Sequence, residues 1–286
     1  MSGPGAVAPA TLAALADRGA LLAALCELVE RAGRVVLEVY GTDFAVDDKA
    51  PGDHVTEADR RANGLLCRAL AERFPGVPVV AEESDPASYA GFAGAPAAFF
   101  VDPLDGTREF VARNGEFVVM VGLAERGRAA AGAVHAPTRG LSWAGAPGFG
   151  AYARDRAGGT RPIAVGDAAE ASAARLVVSR SRRGERLERA LAAFGPREAR
   201  PLGSAGLKGA AVAAGEADAY VQVGPAGSLW DLCAPEALVR GAGGRVSDER
   251  GAPLSYAREG LAHESGLVVS NGRLHDALVA AVGRAG

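Results

Sequence analysis

Two aspartates three positions apart, Asp102 and Asp105 in VDPLDGTREF (residues 101–110), close an apolar run, AAFFV, and are followed at once by Gly106 and Thr107. Hard cations such as Mg²⁺ take oxygen ligands, usually a few carboxylates together with water and substrate phosphate. Two acids across a turn stiffened by Pro103 can converge on one cation or bracket two. A helix starting at Thr107 would present free N–H groups and the positive end of its dipole, which suits a phosphate, and Gly106 would let the backbone approach it closely. The same acids could instead serve the fold alone, Asp105 capping the helix and Asp102 ending the strand. The DGT continuation, and the pair Glu82–Glu83 after an upstream strand, favour the ligand reading. Asp231, in SLWDLCAPEAL, stands at a second helix start behind a glycine-rich loop. It is either a cap or the group that closes the site from the other half of the chain.

The elements that must carry these residues can be read from periodicity. Leu21, Leu25, Leu28, Ala32, Val35 and Val39 recur at helical spacing, and Gly41 stops that helix. AVDDKAPGD reads as a polar turn region. Thr56 and Asp59 precede a second helix carrying Ala62, Leu65, Leu66, Ala69, Leu70 and Phe74. VPVVAEES is a short strand ending at Glu82 and Glu83, AAFFV is the next, and TREFVARNG is a short helix closed at Asn114-Gly115. EFVVMVGLAE, RAAAGAVHAP and GLSWAGAPGFGAYA predict three strands in an antiparallel meander. DRAGGTRP, near 155–162, reads as a loop and as a subdomain boundary, dividing 11–158 (α+β, most of the metal ligands) from 159–286 (α/β, the substrate-selective residues and the last ligand). In the second part ARLVVSRS, ADAYVQVG, GRVSD and GLVVS are strands. RGERLERALAAFG, SAGLKGAAVAAGE, WDLCAPEALVRGAGG and GRLHDALVAAVG are helices.

The totals set bounds. A chain of 286 residues, 49% hydrophobic and 23% charged, fits an ordinary soluble globular protein. A formal net charge of −3 offers no global field for nucleic acid or a membrane surface. No window predicts a membrane span, MSGPGAVAPA lacks the positive start of a signal peptide and reads as disordered, and three scattered cysteines give no disulfide framework. A cytoplasmic location is the expectation. The four histidines, His54, His135, His263 and His275, sit in no triad-like context and read as structural or surface residues.

AEES, VDPLDGTREF and WDLCAPEA, in that order, resemble the inositol monophosphatase-like superfamily of Mg²⁺-dependent, lithium-sensitive phosphatases. DPLDGTREF with RNGEFVVMVGLAERGRAAAGAVHAP, and VVSRS leading to GSAGLK and VAAGEADAYV, look most like its bacterial 3'(2'),5'-bisphosphate nucleotidases. The likeness runs from about Leu21 to the C-terminus. It implies a layered α-β-α-β-α sandwich and two or three Mg²⁺ ions. By that resemblance Glu82, Asp102 and the Leu104 carbonyl bind the first ion, and Asp102, Asp105 and Asp231 the second. Glu83 serves a third, looser one. Asp59, Glu82 and Thr107 orient the attacking water, and the amides of Gly106 and Thr107 hold the scissile phosphate.

The chemistry is consistent with that likeness, because divalent ions neutralise an anionic ester, lower the pKa of bound water and stabilise the leaving oxygen without a protein nucleophile. Selectivity falls to the second half. The arginines of SRSRRGERLER are an ion-paired helix face, apart from the first ones after the strand, which could meet a phosphate bidentately. Arg182 stands where relatives often have histidine, Ser204 and Lys208 match a nucleotide-contacting region, and Gln222 stands where relatives often carry an arginine. Asp231 also borders the substrate. The expected activity is hydrolysis of adenosine 3',5'-bisphosphate to AMP and phosphate, linked to sulfur assimilation. The alternatives are an inositol or sugar monophosphatase and, in a different class, a catalytically silent nucleotide sensor. The partner is a small phosphate ester, with no nucleic acid, and the chain is a monomer or a homodimer.

Overall fold

The computed structural model describes residues 9–50 and 53–285. Residues 1–8, which make up most of the segment expected to be disordered, and residues 51 and 52 of the expected polar turn lie outside the described residues. The first helix, α1 (Pro9–Ala16), ends at Asp17, whose side chain accepts from the Ala20 amide (3.0 Å) and caps α2 (Arg18–Tyr40). The buried face of α2 carries Leu21, Leu25, Leu28, Ala32 and Val39 as the spacing predicts, with Val36 rather than Val35 completing it. The stretch expected as a polar turn is instead a hairpin, β1 (Val46–Ala50) and β2 (Asp53–Thr56), that leads directly into α3 (Glu57–Arg73).

From β3 (Val79–Ala81) the chain builds a seven-stranded sheet. The strands follow as β4 (Ala97–Asp105), then, after the short helix α4 (Thr107–Val111), β5 (Val118–Glu125), β6 (Arg128–Ala136), β7 (Leu141–Ala146), β8 (Gly150–Asp155) and β9 (Thr160–Ile163). They lie in sequence order, β3 and β4 parallel and the rest an antiparallel meander. GLSWAGAPGFGAYA, expected as one strand, is two, β7 and β8, because the chain turns between Ala146 and Gly150. The expected loop at 155–162 contains β9, a largely exposed edge strand.

The second sheet orders its strands β11-β10-β12-β14-β13. In chain order its elements are β10 (Arg175–Ser179), α5 (Glu185–Phe194), β11 (Glu198–Leu202), α6 (Ala205–Ala213), β12 (Ala219–Gln222), α7 (Leu229–Gly241), β13 (Arg245–Asp248), β14 (Leu267–Ser270) and α8 (His275–Arg284). β10 runs parallel to β11 and β12, and β14 runs antiparallel to β12 and β13, the GRVSD–GLVVS pairing expected from the sequence.

Strand alternation sorts the core into three packed zones. Phe99 and Val101 of β4 and Val119 and Val121 of β5 face α2 and α3, while Phe100, Val118 and Met120 face the other way, toward α6, α7 and the second sheet. Leu176 and Val178 of β10 turn outward to α5 and α8, and Val177 turns inward. The result is the layered α-β-α-β-α sandwich, with α6 and α7 as the middle layer. All three cysteines are free, and no helix among the described residues is long and apolar enough to cross a membrane.

The middle layer sits so close to the first sheet that it needs glycine there. A Cβ on Gly132 would lie 2.4 Å from the Ala234 carbonyl oxygen of α7. Gly132→Val is therefore expected to cost about 1–3 kcal/mol or more by overpacking, read as a lower midpoint in urea unfolding. A midpoint unchanged from wild type would contradict this seating of α7.

Candidate active site

The seven-stranded sheet delivers the first acids. β4 runs beyond Asp102 to Asp105, further than the sequence suggests, and its pairing with β5 is irregular between those two residues. The irregularity lets both side chains reach one place instead of alternating across the sheet. The Leu104 amide donates to Asp102 Oδ1 (3.0 Å). Gly106, at φ +97°, caps α4, and a Cβ there would meet the Glu116 carbonyl oxygen at 3.0 Å. Asp105 is thus not the cap. Its Oδ2 accepts from the Ser204 hydroxyl (2.5 Å) and the Gly206 amide (2.6 Å), at the start of α6.

Asp231 arrives from the middle layer as the third residue of α7, where its Oδ2 accepts from the Ser228 amide (2.6 Å). The capping reading holds here, and it leaves the second carboxylate oxygen open to a ligand role, because that bond occupies one oxygen. Asp102, Asp105 and Asp231 each bring a carboxylate oxygen within 4.8 Å of the others. They line a cleft of about 460 Å³ with Glu82, Leu104, Gly106 and Thr107. Burial pushes the Asp102 pKa well up, with Glu82, Asp105 and Asp231 adding to it. Burial and Asp105 push Asp231 up to about 6. Three like charges at this spacing call for a cation, and an all-oxygen donor set fits a hard one such as Mg²⁺.

Asp59 is the third residue of α3 and forms a capping box there. Its Oδ2 accepts from the Thr56 amide (2.8 Å) and hydroxyl (2.6 Å). Its Oδ1 lies 3.3 Å from the Thr107 hydroxyl, which also stands 3.1 Å from the Leu104 carbonyl oxygen. Burial raises the Asp59 pKa against the Thr56 bonds, and the charge of Glu83 raises it further.

The second half supplies the opposite wall. Arg182 is exposed and lines the cleft with Ser204, Lys208 and Gln222. Arg180 does not line it, because its guanidinium is paired with Glu116. Burial would raise Glu116, but the Arg180 and Gly203 bonds outweigh it and lower the pKa. Arg183 and Arg189 pair with Glu188 and Glu185, the helix-face reading, whereas Arg186 reaches Glu249, just past β13. Lys208, which on a helix would ordinarily be a surface residue, is 4% exposed. Its Nζ donates to the Ser204 carbonyl oxygen (2.6 Å) and sits 4.9 Å from the Tyr220 ring centre. Burial lowers its pKa to about 8 against the pull of Asp105 and Glu109, so it stays mostly protonated near neutrality.

Sequence reasoning missed other lining residues, among them His54, Glu109, Tyr220 and Trp230. His54 pairs through Nδ1 with Asp48 (2.6 Å) across the β1–β2 hairpin. Only its place two residues before Thr56 could have signalled that. His135 and His275 are buried structural histidines, bonded to Ser142 and to Ser247 and Ser270.

The model of the inositol monophosphatase family matches residues 17–286. The 3'(2'),5'-bisphosphate nucleotidase CysQ of Escherichia coli K12 is 35% identical over 238 residues, covering 82% of this chain and 94% of the relative. The protein of the same name from Aggregatibacter actinomycetemcomitans is 31% identical, covering 82% and 87%. Among solved structures, the extragenic suppressor protein suhB of Bartonella henselae superposes with a TM-score of 0.79 at 25% identity, covering 92% of this chain and 98% of that one. CysQ of Bacteroides thetaiotaomicron gives 0.72 at 27%, covering 90% and 99%.

The raised acids give a signed expectation. Without a cation they add stability fully only below their unfolded values, near 4, and that contribution is lost as pH rises through about 6 for Asp231. A cation needs them ionised and competes with their protons. The rise in Tm on adding Mg²⁺ should therefore be small at about pH 5 and grow toward neutrality, and Asp231→Asn should flatten that growth. A Mg²⁺ effect independent of pH in the wild-type protein would contradict the cation reading.

Proposed function

Because the chain belongs to the inositol monophosphatase family, we propose that it is a Mg²⁺-dependent phosphomonoesterase whose preferred substrate is adenosine 3',5'-bisphosphate, released as AMP and phosphate. The observation that carries this is the convergence of Asp102, Asp105 and Asp231 within 4.8 Å on a polar cleft that also holds Thr107, Arg182 and Lys208. Glu82, Asp102, Asp105, Asp231 and the Leu104 carbonyl would hold the ions, with Glu83 serving a third. Bound there, Mg²⁺ neutralises phosphate charge and makes water a stronger acid.

The protein's own groups do the positioning. Thr56 fixes Asp59, and Asp59 Oδ1 accepts a hydrogen bond from the Thr107 hydroxyl, which leaves the Thr107 oxygen able to accept one from the attacking water. Glu82 shares in orienting that water. The amides of Gly106 and Thr107 would face the scissile phosphate at the start of α4.

The nucleotide preference draws on the opposite wall. Arg182 and Lys208 put two cationic side chains in the cleft, as a second phosphate requires. Trp230, half-buried on the wall, offers a face on which a base can stack. Ser204 is committed to Asp105 and Leu207, so its part in substrate binding is to shape the wall. A second reading, an inositol or sugar monophosphatase, draws on Gln222, a buried uncharged side chain lining the same cleft.

Phosphate release with Mg²⁺ should be compared for adenosine 3',5'-bisphosphate, inositol 1-phosphate and fructose 1,6-bisphosphate. A charged hydrogen bond to a second phosphate is worth about 1.5–3 kcal/mol, so the nucleotide should lead inositol 1-phosphate by roughly 10–100-fold in kcat/KM. Arg182→Ala should erase much of that lead. A preference for inositol 1-phosphate would discard the nucleotide assignment and keep the cation site. Asp102→Asn should lower kcat on the order of 10³-fold for every ester while leaving the circular dichroism spectrum unchanged. Near-normal turnover in that variant would sink the proposed chemistry.

A further inference from the structure

Ser204 holds a backbone conformation that a serine rarely adopts, φ +59° and ψ 134°. Its hydroxyl is nevertheless the group that donates to Asp105. A non-glycine residue stays in such a region only where its surroundings over-determine it. Three contacts surround this turn. Lys208 Nζ donates to the Ser204 carbonyl oxygen from within α6. Asp105 takes the hydroxyl and the Gly206 amide. The third comes from the loop between α4 and β5, where Glu116 Oε2 accepts from the Gly203 amide at 2.7 Å.

Glu116 is itself tightly held. Arg180, just past β10, grips it through Nη2 to Oε1 (2.7 Å) and Oε2 (2.8 Å) and through Nε to Oε2 (3.1 Å). The Glu116 backbone carbonyl also backs Gly106, the residue between Asp105 and Thr107. One acidic residue thus joins the segment after β10, the turn before α6 and the back of the acidic motif.

We propose that Glu116 is a positioning residue that, clamped by Arg180, fixes the Gly203–Ser204 turn so that the Ser204 hydroxyl stays on Asp105 and orients that carboxylate toward the cation. This rests on the reading of Asp105 as a cation ligand. Partners of that kind typically change metal affinity or activity by about 10–100-fold when removed. Glu116 acts one link further out, so its removal should weaken cation binding by up to about tenfold.

The test is Mn²⁺ binding to the full chain, followed by electron paramagnetic resonance without substrate, alongside kcat and KM. Glu116→Ala should raise the Mn²⁺ dissociation constant severalfold to tenfold and lower kcat at fixed Mg²⁺, with KM for the ester moving less. Glu116→Gln keeps an acceptor for the Gly203 amide and should restore most of the binding. Arg180→Met, at a partly exposed side chain that the fold can lose, should shift Mn²⁺ binding in the same direction by a smaller factor, and it serves if Glu116→Ala does not fold. Folded variants with a lower Tm but wild-type Mn²⁺ affinity would overturn the proposal and leave Glu116 a stabilising residue only. Absence of Mn²⁺ binding in the wild-type protein would overturn the cation reading, and this inference with it.

Discussion

Carboxylates whose oxygens lie inside 4.8 Å of one another repel, and burial makes that repulsion costly. Asp102, Asp105 and Asp231 stay together because each is anchored by hydrogen bonds outside the cluster: to the Leu104 amide, to Ser204 and Gly206, and to Ser228. The cluster depends on those anchors, and the anchors come from both sheets and the layer between them. Asp102 and Asp105 need the irregular end of β4, and Asp231 needs the seating of α7 against β5 and β6. The sandwich is thus the device that brings charges from distant parts of the chain to one point.

The polar groups around the cluster divide by what they touch. Asp59 and Thr107 form a short chain beginning at the Thr56 cap of α3, so the start of that helix sets where a hydroxyl stands in the cleft. Lys208 and Glu116 brace the backbone of the facing turn. Arg182 faces the open cleft, whereas its neighbour Arg180 is spent on Glu116. Two arginines two positions apart therefore do different work: the chain bends at Arg180 and Ser181, past the end of β10, so the strand rule that puts residues i and i+2 on one face no longer holds there.

The sequence was most legible where both a pattern and its cause are local. The acids of DPLDGT, the alternation in β4 and β5 and the helical face of α2 are each written within one stretch of chain. The architecture and the acidic cluster of Asp102, Asp105 and Asp231 could be read from such stretches and from the family resemblance they carry. Several of the elements missed have no buried face to write a pattern: β9 and β11 are edge strands, mostly exposed, and β11 holds Pro201 in a polar EARPL run. The β1–β2 hairpin is polar for the same reason. The burial of Lys208 and the pairing of Arg180 with Glu116 are tertiary facts. Nothing near Lys208 announces that Tyr220 will lie beneath it, and Glu116 lies across a sheet boundary from its partner.

The central claim is that the three aspartates exist to hold divalent cations beside a phosphate. Its most direct test is anomalous diffraction from crystals soaked in Mn²⁺ and inorganic phosphate. The account predicts at least one anomalous peak touched by oxygens of Asp102, Asp105 and Asp231, with phosphate density between it and the start of α4. An empty acidic cluster, with Mn²⁺ bound elsewhere or not at all, would contradict it.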